Sequence, residues 1–196
     1  MVKKYFNFIN SFIYDYKKFF ILAFWFFIFS ILVYFFLPLT TQDKLILLQS
    51  ASKYIASLSV FMKTKLLMWL VIFGNNSLIF FIIFISGFLL SLFWLLVFFS
   101  QVVIVLAVVQ LMTYKVGLLK TLILILPHWI FEISAAIMSL ALSFVISYLI
   151  IKKIWNFKTF KIWSELKRVF KFFFLVIIPL TLFAAFVEAF ITSLFV

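Results

Sequence analysis

From Leu66 to Met112 the chain carries no charged residue. A helix needs about 20 residues to cross a hydrocarbon core about 30 Å thick. The stretch is therefore too long for one crossing and suits two closely joined ones, 66–90 and 92–112. Gly74-Asn75-Asn76 and Ser86-Gly87 are the breaks at which such a chain is expected to turn. Composition points the same way: 68% of the 196 residues are hydrophobic and 11% charged, against roughly half and about a quarter in soluble domains. The expected fold class is all-α: a polytopic membrane helix bundle of about five transmembrane helices, forming a single transmembrane domain over residues 1–196.

The other apolar segments are 19–38, 121–151 and 172–196. Pro38 ends the first where a missing N–H does least harm. Lys3, Lys4, Lys17 and Lys18 ahead of that run give it the look of a secretory signal. The run is too long for one, and Leu37-Pro38-Leu39-Thr40 offers no small-residue cleavage site, so it is expected to stay as the first span. Pro127 suits the first turn of a helix, which sets an expected span at 127–151 with a short separate helix over 118–126. In segment 43–65, Leu48, Ala51, Ile55, Leu58 and Met62 share one helical face, and Gln49, Lys53, Ser57 and Thr64 lie opposite. That pattern predicts an amphipathic interfacial helix.

Lysines fix the expected orientation. The N-terminal group and the cluster Lys152, Lys153, Lys158, Lys161, Lys167, Arg168 and Lys171 hold most of the positive charge, and basic segments stay cytoplasmic. An even number of crossings must separate them, hence four spans before Lys152 and five in all. The N-terminus is then cytoplasmic, the C-terminus outside, and 152–171 a basic amphipathic loop whose Phe160, Trp163, Leu166 and Phe170 are able to dip into the bilayer. Because the basic residues flank apolar segments, the net charge of +12 is read as orientation and contact with membrane lipids, not nucleic-acid binding. With no cysteine, disulfides, thiolate metal sites and catalytic thiols are excluded. The 32 phenylalanines are spread along every segment and read as lipid-facing and core filler.

Only five residues are acidic, yet Glu132 and Glu188 both lie inside apolar runs. An ionisable group there costs roughly 2.5–3.5 kcal/mol even on lenient insertion scales, which makes a functional reading the default. His128, the sole histidine, is four residues before Glu132, so the two share a helical face. Alanines at 184, 185 and 189 around Glu188 allow another helix to approach closely. With five spans, Asn75, Asn76, His128, Glu132 and Glu188 come to one level, Glu188 lying ~12 Å below the outer end of its span at ~1.5 Å per residue. They form a candidate cluster that binds a ligand or proton, or serves as a structural polar core. Taken alone, the asparagines read as interhelical glue or as a cap after Gly74. Gln101 and Gln110 are nine residues apart and do not share a helical face, so at most one joins them.

His-x-x-x-Glu with a second Glu offers three zinc-compatible ligands, but there is no His-Glu-x-x-His and no second histidine. No metal or cofactor is expected. Ser134 and Ser139 lack a Gly-x-Ser-x-Gly setting.

Leu126-Pro127-His128-Trp129-Ile130-Phe131-Glu132 resembles the Pro-His-Gly-x-Phe-Glu motif of the stage II sporulation protein M family. Pro179-Leu180, followed by Ala184-Ala185-Phe186-Val187-Glu188-Ala189-Phe190-Ile191-Thr192, is similar to its closing Ala-Ala-x-x-Glu-x-x-x-Thr segment, and Asn75-Asn76 with Gly87 to its Asn-Asn region and spaced glycines. The likeness covers spans two to five. It departs where Trp129 replaces a glycine, where Ser134 stands in place of a proline, and where Ser100-Gln101 replaces Asn-Gly. What the resemblance implies is an all-helical membrane protein acting as a scaffold for peptidoglycan-degrading partners, as its best-described relative does during spore engulfment.

The expected function is accordingly non-enzymatic: organising other membrane or cell-envelope proteins. The alternatives are a proton- or cation-coupled transporter or channel-like protein, whose missing half a homodimer would supply, and an intramembrane metal-dependent hydrolase.

Overall fold

The computed structural model describes residues 2–36, 42, 43, 46, 49, 64–90, 92–155 and 161–192. Helix α1 spans Val2–Phe36 and α2 spans Lys65–Ile85. A 3-10 turn, Ser86–Leu89, leads into α3, Leu92–Val116, and then α4, Leu118–Trp155. The last helix comprises α5, Ile162–Phe172, a π turn at Phe173–Ile177, α6, Ile178–Phe186, and a second π turn at Val187–Ile191. Counting that composite as one, five helices are long and apolar enough to cross a membrane. Among the described residues there is no strand. The chain is an all-α, multi-pass bundle.

Several local expectations need correction. The first span is only part of α1, which is helical from Val2 and so includes the lysines ahead of it. Of the amphipathic segment 43–65, residues 44, 45, 47, 48 and 50–63 lie outside the described residues; Asp43, Ile46 and Gln49 are helical. Thr64 is no part of that segment's polar face, because its hydroxyl caps α2 by accepting from the Leu67 amide at 3.2 Å. Gly74-Asn75-Asn76 is not a break either. The three residues sit inside α2, since leaving a helix in lipid would strand more backbone groups than a glycine's flexibility repays.

The turn at Ser86-Gly87 does form, and serines rather than lysines hold it. Ser86 and Ser143 hydroxyls are 2.8 Å apart, and Ser147 donates to the Gly87 carbonyl at 3.0 Å. Gly87 lies so close to α4 that a Cβ there would be 2.7 Å from that of Ile146 and would overlap the Ser143 carbonyl. At the other end of α3 a single residue, Gly117 at φ +84, joins it to α4. Its amide caps the Thr113 carbonyl at 3.0 Å, a left-handed helix ending that suits glycine.

Helix α4 is not divided at Pro127. The ring denies the Ile123 carbonyl its usual amide, but one lost bond is less costly in lipid than a break that exposes several. This long helix is the hub of the bundle, touching α1, α2, the 3-10 turn, α3, α5 and α6. Helices α1 and α3 run in the same direction, as first and third crossings must: Phe26 meets Phe98 at 5.9 Å, and Tyr34 donates to Gln110 Oε1 at 3.0 Å.

A phenylalanine core lies at the lysine-rich end. Phe12 stacks on Phe172 at 4.6 Å and Phe84 on Phe173 at 4.5 Å, all four fully buried beside Leu140, Leu142 and Ile146. This core corrects the reading of 152–171 as a loop dipping into lipid. Residues 156–160, Phe160 included, lie outside the described residues, and from Ile162 the chain is helical and continuous with the last span. Leu166 is buried and Phe170 packs on Phe84 at 4.9 Å, because their helical stripe faces the bundle. Trp163, by contrast, stays outward, at 75% exposure.

Pro179 explains the first π turn. It has no N–H for the Leu175 carbonyl one turn earlier, and a freed carbonyl in a membrane needs another donor. The helix widens over Phe173–Ile177, and the Tyr5 hydroxyl donates to the Leu175 oxygen, tying the start of α1 to the last helix.

Candidate functional site

Away from the phenylalanine core the bundle opens into a cavity of about 400 Å³ between α2, α3, α4 and the last helix. Asn75, Asn76, His128, Glu132 and Glu188 all line it. Helix α4 places His128 and Glu132 one turn apart on the same side, and mid-helix α2 supplies both asparagines opposite them. Asn76 Nδ2 donates to Glu132 Oε1 at 2.5 Å, and Asn75 Nδ2 donates to Asn76 Oδ1 at 3.2 Å. Asn76 thus joins α2 to α4, and both asparagines lie mid-helix rather than at a cap.

Glu188 enters from the second π turn, within electrostatic reach of Glu132. A π turn inserts one residue into the helical repeat, which re-aims the side chains that follow. Ala184, Ala185 and Ala189 are fully buried, so this helix sits close against its neighbours, and Trp69 of α2 donates its indole N–H to the Leu182 carbonyl at 3.2 Å. One turn after Glu188, the buried Thr192 hydroxyl lies 3.3 Å from His128 Nδ1. Which of the two donates depends on the imidazole tautomer.

A smaller cavity of about 230 Å³ adjoins the first. Asn76, Trp129 and Glu132 line both, so the Asn76–Glu132 bond stands in the wall between them. Gln101 faces this second space, whereas Gln110 is engaged by Tyr34 and joins neither. Trp129 and Thr192 escaped the sequence reading as site residues. The signal for Thr192 was its place as the closing Thr of the family segment, one helical turn from Glu188; Trp129, standing where the motif has glycine, gave none beyond its place next to His128.

Ser134 and Ser139 are bound back to their own helix: Ser134 donates to the Ile130 and Ser139 to the Ala135 carbonyl oxygen, at 2.7 and 2.8 Å. Among the described residues, no three His, Asp or Glu side chains are grouped so as to hold a metal ion.

Five membrane-capable helices, with paired polar side chains lining an interior cavity, define a polytopic helical membrane protein. The family model described as Stage II sporulation protein M matches residues 21–193, which include both acidic motifs, and the chain belongs to that family. Among curated proteins and among solved structures, nothing matches.

Proposed function

We propose that this protein is a non-enzymatic membrane organiser that holds cell-envelope partners, with Asn75, Asn76, His128, Glu132 and Glu188 forming a polar cluster in the outer half of the bundle. The cluster fixes the helices in register, so that the faces offered to partners keep one arrangement. The orientation that goes with it has the N-terminus in the cytoplasm and the C-terminus outside, following the lysine distribution.

The observation that carries this reading is the pairing of polar groups between helices: Asn76 with Glu132 links α2 to α4, and His128 with Thr192 links α4 to the last helix. Polar groups that satisfy one another rigidify a core. Family membership supports it as well, through the scaffold role that the resemblance implies. The test is purification of tagged protein from its native membrane, with identification of what accompanies it. Envelope proteins should co-purify with the natural chain and be depleted with Glu132→Leu; an identical, partner-free result for both contradicts the reading.

One observation favours a second reading, coupled transport of a proton or cation: the cavity of about 400 Å³ brings two carboxyl groups and an imidazole together inside the spans. Proton-coupled flux in liposomes that disappears in Glu188→Gln would carry that reading over the first.

A further inference from the structure

A separate pocket opens at the opposite, lysine-rich end, where α1, α4 and α5 meet. It measures about 270 Å³, and its charged lining consists of Lys18, Lys152 and Arg168 against Asp15 and Glu165. We propose that this pocket binds the phosphate group of an anionic phospholipid headgroup.

Charge is the first reason. Both carboxylates are drawn to the guanidinium: Arg168 Nη2 meets Asp15 Oδ2 at 2.5 Å, and Nη1 meets Glu165 Oε2 at 2.9 Å. Tyr16 adds a hydrogen bond to Glu165 Oε2 at 2.7 Å. The acids are thereby turned to one wall, and with three cations to two anions the pocket keeps an excess of positive charge.

Geometry is the second. The Lys18 and Lys152 ammonium groups come from different helices yet lie 4.5 and 5.8 Å from the centre of one ring, that of Tyr148. Both lysines line the same pocket, so an anion seated in it is attracted by each. A phosphate offers acceptor oxygens to both ammonium groups at once.

Depth is the third, and it selects a lipid over phosphate in solution. Trp155 and Trp163, at 82% and 75% exposure, lie between Lys152 and Glu165 in sequence and face outward, and exposed tryptophans collect at the headgroup level. Phe19 and Leu149 add an apolar side to the lining, suited to the glycerol and upper acyl chain of an amphiphile. Basic pockets between transmembrane helices recognise anionic headgroups in this manner.

The test uses the full chain in phosphatidylcholine vesicles, with and without phosphatidylglycerol, comparing the natural sequence, the double variant Lys18→Gln/Lys152→Gln and the control Lys115→Gln. Phosphatidylglycerol bound per protein is read by native mass spectrometry across a titration. The double variant should bind roughly thirty-fold more weakly, about five-fold for each lysine removed from the membrane surface, while the control matches the natural chain. If the double variant fails to fold, judged by its melting in pure phosphatidylcholine, Lys18→Gln alone should still lose about five-fold, since Lys18 is exposed and in no ion pair with Asp15 or Glu165 among those described. Equal binding by natural and variant chains overturns the proposal. So does inorganic phosphate stabilising the natural chain in pure phosphatidylcholine as strongly as phosphatidylglycerol does, because the pocket would then be a site for free phosphate.

Discussion

Asn76, in the middle of α2, donates its side-chain N–H to the carboxyl oxygen of Glu132, 56 residues further along the chain on α4. The Asn76 carbonyl oxygen accepts from Asn75 on its own helix, and its N–H reaches across to the carboxyl group. Measured couplings between polar groups of membrane helices average about 0.6 kcal/mol and reach about 1.7. A double-mutant cycle of Asn76→Leu and Glu132→Leu, followed by denaturation in mild detergent, should give a coupling in that range. Strictly additive losses would mean that the two side chains do not meet.

Tyr5 and Pro179 form a more local test. With Pro179 in place, Tyr5→Phe leaves the Leu175 carbonyl without its donor, at a cost of about 1–3 kcal/mol for an unsatisfied buried group. Pro179→Ala restores the helical amide, so in that background Tyr5→Phe should be nearly neutral. Thermal melts of the four combinations check it; an equal loss in both backgrounds removes proline as the reason for the bond.

Much of this arrangement could be read from the residues, and the parts that could not share one cause. Charge spacing and apolar length gave five spans, because membrane thickness leaves helices little choice. Glu132 and Glu188 stood out because their surroundings were wrong for acids. Gly74, Asn75 and Pro127, by contrast, were read by propensities measured in water, where such residues cap or end helices. In lipid the backbone has no other partner, and α2 and α4 run straight through them. The two π turns left no local mark either, although Pro179 accounts for one after the fact. Trp129 in the wall between the cavities could be known only once three helices had been assembled around it.

Gly87 is expected to tolerate nothing larger. An added Cβ would run into the backbone carbonyl of Ser143 and the side chain of Ile146. Overpacking of this kind costs about 1–3 kcal/mol. Gly87→Ala should therefore lower the melting temperature, whereas Gly74→Ala, with nothing within 4 Å of the new atom, should leave it unchanged or raise it.

The phenylalanines divide by location. Phe84 is fully buried against Phe173, while Phe36 is 82% exposed on the outer surface of α1. Truncating a core phenylalanine costs about 3–5 kcal/mol. Phe84→Ala should cause a loss of that order and Phe36→Ala almost none, by the same denaturation assay. Equal effects would contradict the packed core at the basic end.

The convergence of distant helices on one cavity can be measured directly, because the chain has no cysteine of its own. A short thiol-reactive bridge applied to Glu132→Cys/Glu188→Cys in native membranes should link the pair, found as a joined peptide by mass spectrometry. The control Glu132→Cys/Phe174→Cys, whose second site stands 55% exposed several turns before Glu188 on the same last helix, should not be linked. If positions 132 and 188 are each labelled singly from the lipid phase and never joined, the two acids face apart and the shared cavity does not exist.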